Sequence, residues 1–359
     1  MNNPNAEVEP WIANNPRLSR NVVATWQQDR WNDGGAKGLV AGSSFNGGAT
    51  WSEVPLPFSQ CAAPFYERVA PFDRASDPWD SVGPDGKTYG QRLVFNANDT
   101  HNGVAAVASA DGGRTWQNLR LLIDDPASDP TQPGDDKNSV TADPALAGSA
   151  YAVWDRIVLT TCGSAIRRVN PQIDDHPALR GPSGALNCFT GPSYFSRTTN
   201  GGLTWEPARP IVPAAINEQT IGNQIVVNHR TGVLFDFFDY ITADGVFHAQ
   251  MVFSRDQGLT WSRRQAIADI ASAALQANRG ASSTPGPAPH CVPVTSSRSR
   301  PSTRRAGAST SSGRMPASTP AGTTRSSSPR PPTPWAEVGR GRRPSWSARP
   351  ATPPPSTPT

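Results

Sequence analysis

The fold of this chain is decided by one stretch of sequence, Ser109-Ala110-Asp111-Gly112-Gly113-Arg114-Thr115-Trp116. The same pattern, Ser/Thr-x-Asp/Asn-x-Gly-x-Thr-Trp, recurs at residues 44–51, 198–205 and 254–261. The Asp or Asn can accept backbone N–H groups within a tight turn, and the Gly two residues later adopts a positive φ at little cost. The Trp then begins a returning strand and covers the apolar end of the hairpin. Each copy, here called a box loop, therefore predicts the turn of a β-hairpin.

The defining positions of each box loop are its Asp or Asn, its Gly and its Trp, and we predict that these residues are structural. They are Asn46, Gly48 and Trp51; Asp111, Gly113 and Trp116; Asn200, Gly202 and Trp205; and Asp256, Gly258 and Trp261.

The segments between the box loops have the character of β-strands. Residues 21–26 and 150–154 are short runs of β-branched and aromatic residues that end at polar ones, as strands do. A strand, a turn with Asp or Asn, and a second strand precede each box loop, so each repeat holds four strands. Four-stranded repeats predict the blades of a β-propeller. The fold class is therefore all-β, with about four blades within residues 1–278; only residues 263–278 suggest a helix, and weakly.

Composition separates a second region, residues 279–359, from the propeller region. It holds 17 Pro, 12 Arg, no Lys and a single acid, Glu337. The whole chain has a net charge of +4. Residues 279–359 carry +11, so residues 1–278 carry −7. Because the excess of positive charge lies in this segment and the propeller region is net negative, we expect no nucleic-acid partner. The segment cannot bury a core, which predicts a disordered tail.

Two explanations of residues 279–359 stay open, a genuine basic linker and an out-of-frame translation of GC-rich coding DNA. Residues 294–307 can be back-translated with GC-rich codons. A shift of two bases then permits a strand-like peptide, and the same shift at residues 324–328 permits another.

The box loops resemble Asp-boxes, also called BNR repeats, and residues 8–262 resemble the sialidase (neuraminidase) superfamily of six-bladed propellers. The resemblance implies a propeller of six-bladed parentage and a glycosidase of the exo-α-sialidase type that acts on glycans. Asp-boxes lie on the outer face of such propellers and also occur in propellers that are not sialidases. The alternative is therefore a non-catalytic Asp-box propeller that serves as an extracellular binding or scaffold module.

One rim of the predicted propeller collects charged residues from several blades. The ends of the second strands contribute Asp and Arg, and the entries to the first strands contribute Glu7, Glu9, Asp77 and residues 135–136. Such residues suit acid catalysis and the binding of a sugar carboxylate. The catalytic candidates are Asp29, Arg30, Arg74, Asp155, Arg156 and Asp239.

Two departures from the sialidase pattern accompany these candidates. The Arg-Ile-Pro tripeptide of such enzymes is absent from this sequence, and no Tyr can be assigned as the nucleophile. The pairs at residues 29–30 and 155–156 recur at comparable positions, which favours a second role for them, as structural ties between adjacent blades.

The remaining residues indicate the setting of the protein. Cys162 and Cys188 flank a long insertion, and a disulfide between them would suit a secreted or cell-surface protein. No signal peptide is visible at the start, and no apolar run approaches the length of a membrane span. The sequence has no Cys-x-x-Cys and no His spacing typical of a metal site, so we expect neither a metal nor a cofactor.

Overall fold

The computed structural model describes residues 1–160, 162 and 188–270, all of which belong to the compact unit Met1–Pro285. The predictions made for residues 279–359 lie outside the described residues. Within these residues no helix has the length and hydrophobicity needed to cross a bilayer.

The described residues form four successive antiparallel blades of four strands, and a single bridge between Ala36 and Ala75 joins blades 1 and 2 into one sheet. The two-residue strand β1 (Asn2–Asn3) pairs with the second strand of blade 1. Blade 1 consists of β2 (Val8–Asn14), β3 (Val22–Trp31), β4 (Ala36–Ser44) and β5 (Ser52–Pro55). A 3-10 turn at Gln60–Ala62 leads to blade 2, which consists of β6 (Arg74–Val82), β7 (Thr88–Phe95), β8 (Asn102–Ser109) and β9 (Gln117–Asp125).

Blades 3 and 4 repeat this order. Blade 3 consists of β10 (Gly134–Ala142), β11 (Ala150–Thr160), β13 (Ser193–Thr198) and β14 (Arg209–Val212), with the short β12 (Cys188–Thr190) paired to the end of β11. Blade 4 consists of β15 (Gln219–Val227), β16 (Leu234–Ile241), β17 (Phe247–Ser254) and β18 (Gln265–Ile270). The prediction of an all-β fold of four-stranded blades is confirmed. The weak helical prediction for residues 263–278 is wrong over β18, where pairing with β17 overrides local propensity.

The core lies between the blades, because each sheet presents apolar side chains on both faces. The first strands β2, β6, β10 and β15 contact one another in that order, so they are the innermost strands. Alternate residues of a strand point to opposite faces. In β11, Tyr151 and Val153 accordingly face blade 4 and pack against Ile225 and Leu234. Trp154 faces blade 2, where it meets Leu93.

The four box loops join the third strand of each blade to the fourth. In blade 2, Asp111 Oδ1 accepts the N–H of Thr115 at 2.9 Å, and its Oδ2 accepts the Thr115 hydroxyl at 2.7 Å. Gly113 adopts φ +93° and donates its N–H to the Ser109 hydroxyl at 2.9 Å. A Cβ at Gly113 would lie 2.8 Å from Val23 of blade 1. The box loop therefore closes its own hairpin and also packs against the preceding blade.

The third blade carries a disulfide between Cys162 and Cys188, with the two Cα atoms 5.0 Å apart. It connects the chain just after β11 to the first residue of β12, which pairs with Thr160 of β11.

Candidate functional site

The four innermost strands share one irregularity, a β-bulge at the same position in each blade. The register shifts between Val8 and Trp11, Ser76 and Trp79, Asp136 and Ser139, and Ile221 and Gln224. The first residue within each bulge has a positive φ: Glu9 at 51°, Asp77 at 49°, Lys137 at 42° and Gly222 at 74°. A positive φ costs a residue other than Gly roughly 1 kcal/mol or more, and such strain is concentrated at functional sites. A bulge also redirects a side chain.

The bulges of blades 1, 2 and 3 bring a carboxyl–carboxyl–ammonium cluster together near the propeller axis. Glu9 and Asp77 occupy the same position in the bulges of blades 1 and 2, close enough for the charge of Asp77 to raise the pKa of Glu9. The Lys137 ammonium lies 3.4 Å from Asp77 Oδ2, and the Ser76 hydroxyl donates to Asp77 Oδ1 at 2.6 Å. We call Glu9, Asp77, Asp136 and Lys137 the axial cluster.

Blade 1 supports the axial cluster from its second strand. Gln27 is fully buried and donates its amide N–H to Glu9 and, at 3.0 Å, to the Ser76 hydroxyl. Arg30 donates to the Gln27 amide oxygen at 2.7 Å. Because this amide oxygen is held by Arg30, the amide nitrogen is left facing Glu9 and Ser76. The side chains around Glu9 are thus oriented before any ligand arrives.

Partial desolvation and neighbouring charge shift the protonation of the axial cluster. The Glu9 residue is exposed at the cavity, and its partial desolvation together with the charge of Asp77 raises its pKa, against smaller opposing effects of Lys137 and Arg30. Asp136 is also exposed as a residue, and the partial desolvation of its carboxyl group raises its pKa. The negative charge of Asp77 raises the pKa of Lys137, so the ammonium form is favoured. The cluster therefore favours a proton on Glu9 beside charged partners.

A cavity of about 390 Å³ opens over the axial cluster. Its lining includes the axial cluster and Arg30 together with bare backbone at four glycines and side chains from blades 2 and 3. A cavity of this size suits a small ligand. Within the part of the chain that the structure describes, no group of three His, Cys, Asp or Glu side chains has the geometry to hold a metal ion.

Of the six residues predicted as catalytic, the structure places Arg30 at this cavity and the other five elsewhere. Asp29 accepts the backbone N–H of Asn5 at 2.8 Å and so anchors the N-terminal segment. Arg74 pairs with Asp33 at 2.9 Å and lies over the Trp31 ring.

Asp155 and Arg156 hold adjacent blades together. Asp155 accepts the backbone N–H of Gly222 at 2.7 Å, in the bulge of blade 4. Arg156 donates two hydrogen bonds to Asp125, the last residue of blade 2, at 2.5 and 2.6 Å, and a third to Asp135 at 2.9 Å. This geometry corresponds to the structural role that the sequence left open for this pair.

The pairing register shows that Asp29 and Asp155, which look comparable in the sequence, occupy different positions in their blades. Asp155 pairs with Asp136, whereas the equivalent position of blade 1 is Gln27, which pairs with Val8. Asp29 therefore lies two residues beyond the equivalent of Asp155. The equivalent of Asp155 in blade 4 is Asp239, which pairs with Ile221 and is partly exposed.

Glu9, Asp77 and Asp136 belong to the charged rim that the sequence predicts, but they are not among its six catalytic candidates, and the sequence gives no prediction for Lys137. A signal for two of them is present: Glu9-Pro10-Trp11 and Asp77-Pro78-Trp79 repeat an acid-Pro-Trp tripeptide. Proline has no N–H and is tolerated within a strand at a bulge, where the ladder is interrupted. The two Trp rings stack at a centroid distance of 3.6 Å. No comparable signal marks Lys137.

No protein-family model matches the sequence, and no curated protein matches it. Among solved structures, the chain is similar to Hadza microbial sialidase Hz136, with 16% identity, a TM-score of 0.41, and coverage of 72% of this chain and 46% of that one. It is similar to the α-L-arabinanase of Penicillium chrysogenum complexed with arabinobiose, with 12% identity, a TM-score of 0.46, and coverage of 73% and 66%. It is also similar to the GH93 α-L-arabinofuranosidase of Fusarium graminearum, with 11% identity, a TM-score of 0.44, and coverage of 74% and 67%. The chain thus spans about half to two thirds of the length of these proteins, and the likeness concerns the fold alone.

Proposed function

We propose that this protein is a sialidase-like glycoside hydrolase that cleaves a glycan in the cavity over the axial cluster. The observation that carries the proposal is the pairing of Glu9 with Asp77 at equivalent bulges of two blades. Partial desolvation and the Asp77 charge raise the pKa of Glu9. Glycoside hydrolysis needs a carboxylic acid that keeps its proton beside a second carboxylate.

In this proposal Glu9 is the general acid. It donates its proton to the oxygen of the leaving group as the glycosidic bond breaks. Asp77 raises the pKa of Glu9, so its proposed role is to favour the protonated form of Glu9. Lys137, at 3.4 Å, compensates the charge of Asp77.

Asp136 is the remaining carboxyl group of the axial cluster and is proposed as the base that activates water. It accepts the backbone N–H of Lys137 at 2.8 Å and lines the same cavity as Glu9. It comes from blade 3, whereas Glu9 comes from blade 1. The substrate would therefore lie across blade 2, between the acid and the base.

Within this class, an exo-α-sialidase substrate is the first candidate, because of the resemblance of the box loops. Arg30 lines the cavity and could bind a sugar carboxylate there. Arg74 and Arg156 are engaged by Asp33 and by Asp125 and Asp135. The Cys162–Cys188 disulfide supports our proposal that the protein works outside the cell.

The test is turnover of fluorogenic aryl glycosides, an α-sialoside and an α-L-arabinofuranoside, by the full chain. We expect Glu9→Gln to lower kcat at least 100-fold on sialyllactose or arabinobiose, whose sugar leaving groups need a proton, and to lower it less on the aryl glycosides, whose phenol leaves without one. Glu7→Gln is the matched control, because the exposed Glu7 carboxylate lies two residues away and only accepts from Gln28 at 3.3 Å. Equal turnover of sialyllactose or arabinobiose by wild type and Glu9→Gln would overturn the assignment of the acid.

A second candidate function is a glycan-binding propeller without catalysis. The engagement of Arg74 and Arg156 in ion pairs favours it, because these side chains are then not free for a sugar carboxylate. Calorimetric binding of a sialoside or of arabinobiose, with no turnover of either aryl glycoside by a folded chain, would establish this alternative.

A further inference from the structure

Each later blade packs against the blade before it through the Trp of its box loop. Trp116 of blade 2 lies in one apolar cluster with Val23 of blade 1. Trp205 of blade 3 packs against apolar residues of blade 2. Trp261 of blade 4 meets Phe195 of blade 3 edge-on, with the ring centroids 5.4 Å apart. Blades 1, 2 and 3 therefore each present a receiving face to the Trp of the blade that follows.

The receiving face includes two positions of the second strand, which the pairing register relates from blade to blade. In blades 1, 2 and 3 these positions are buried and hold Val23 and Thr25, Tyr89 and Gln91, and Tyr151 and Val153. In blade 4 they hold Phe235 and Phe237, and Phe237 is 38% exposed. A cavity of about 420 Å³ lies on this face, and Val226 and Met251 line it together with these two residues. Blade 4 therefore has an apolar receiving face that no described blade covers.

Blade 1 has the opposite open face, the one that each later blade packs against its predecessor. Its box-loop residue Trp51 is 42% exposed, whereas Trp116 of blade 2 is buried. Ile12 of β2 is 62% exposed, although the equivalent positions of the other blades are buried. These positions hold Asp80, Val140 and Ile225.

The defining glycine of the box loop shows the same difference. A Cβ at Gly113, Gly202 or Gly258 would come within 3.2 Å of a side chain of the preceding blade. A Cβ at Gly48 would meet only Trp51 of its own loop, at 3.7 Å. The open faces of blades 1 and 4 are therefore the two halves of a contact that the chain already forms three times between its own blades.

A second copy of this chain offers both halves of that contact. Exposed apolar faces of this kind mark interaction surfaces. Residues 279–359 are a poor alternative occupant, because their large apolar residues are only three Val, two Trp and one Met. Four strands that alternate apolar and polar residues cannot be built from so few.

We propose that two copies of this chain associate head to tail, with blade 4 of each copy packed against blade 1 of the other. Trp51 of one copy then lies on Phe237 of the other, as Trp261 lies on Phe195 within the chain. Because the contact joins two different faces it is heterologous, and two such contacts close a ring. The ring has eight blades, which is within the range of closed propellers.

The mass of the full chain in solution, measured by light scattering after size exclusion, tests the proposal. We expect wild type to have twice the mass of one copy. Ile12→Glu and Phe237→Glu should each halve this mass, because either substitution places a charge in both contacts of the ring. Leu146→Glu is the matched control and should keep the wild-type mass, because the exposed Leu146 lies in a turn of blade 3, which has a neighbouring blade on each side.

Two results for wild type would overturn the proposal. A mass of one copy would show that a second copy does not cover these faces. A mass that rises beyond two copies with concentration would show that the contact does not close.

A mixture of two variants tests the direction of the contact. Ile12→Glu leaves blade 4 intact and Phe237→Glu leaves blade 1 intact, so an equimolar mixture can form one unaltered contact and should regain twice the mass of one copy. A mixture that stays at the mass of one copy would overturn the head-to-tail arrangement. So would Ile12→Glu that is dimeric by itself, because blade 4 would then pack on blade 4. Val226→Glu, at a more exposed position of the same cavity, replaces Phe237→Glu if that variant does not fold.

Discussion

Asp155 should make the protein less stable at alkaline pH, and Asp155→Asn should remove much of this dependence. The carboxylate is 4% exposed and lies between blades 3 and 4. It accepts from the Gly222 N–H at 2.7 Å, from the Thr220 hydroxyl at 3.3 Å and from the Asn223 amide. Burial is the largest effect and raises the pKa of Asp155 from 3.8 to about 7, despite these hydrogen bonds.

The sign of the effect follows from proton linkage. Between pH 3.8 and about 7 the folded chain holds a proton on Asp155 that the unfolded chain has released. Stability from this group is therefore fully present below pH 3.8 and is lost as the pH rises to about 7. At about 1.4 kcal/mol for each pH unit, the loss is about 4 kcal/mol in total, of which about 3 kcal/mol falls above pH 5.

The assay is urea unfolding followed by tryptophan fluorescence at pH 5 and pH 8.5. We expect Asp155→Asn to reduce the difference between the two free energies of unfolding by about 3 kcal/mol. The amide side chain fits the site, since the Asn223 amide oxygen has no partner among the described residues and can accept after a flip. Asp239→Asn, at the equivalent and partly exposed position of blade 4, is the control. An unchanged pH difference in Asp155→Asn would refute the reasoning.

Three further predictions concern the blades and the coding sequence. Gly113→Ala should lower the free energy of unfolding by more than about 2 kcal/mol, because a Cβ at φ +93° would lie 2.8 Å from Val23. A Cβ at Gly47 would meet no atom within 4 Å, so Gly47→Ala should lower it by only about 1 kcal/mol. Equal losses in urea unfolding would contradict this account. Arg156→Ala should cost about 3–5 kcal/mol, measured in the same way, because it leaves Asp125 and Asp135 buried without their cation, and a loss under 1 kcal/mol would rule this out. If residues 279–359 are out of frame, translation of the coding DNA in all three frames should show strands and a further box loop in another frame; stop codons throughout both other frames would exclude it.

Local spacing was sufficient to predict the box loops. In each loop the Asp or Asn accepts from the Thr four residues later, as Asp111 does from Thr115, and the Gly N–H donates to the Ser or Thr that opens the loop. Such contacts need no partner from elsewhere in the chain. The four-stranded repeat followed from the same signal, because a hairpin turn requires a strand on each side.

The axial cluster could not be predicted in this way. Its members come from three blades, and Asp77 and Lys137, for example, are 60 residues apart. They meet because the bulges of blades 1, 2 and 3 occur at the same level on neighbouring strands, and the level of a bulge depends on pairing register. A change of two residues in register separated Asp29 from the true equivalent of Asp155, Gln27.

The sequence by itself therefore determined the type of strand, the turns and the number of blades in residues 1–270, since these depend on contacts between near neighbours. Only the tertiary structure decided which charged residues are engaged and which are available. Arg74 and Arg156 find carboxylates in adjacent blades, whereas Glu9 is redirected into a cavity beside Asp77. The physical reason is that burial and pairing of a charge are set by the blade packed against it, which lies far away along the chain.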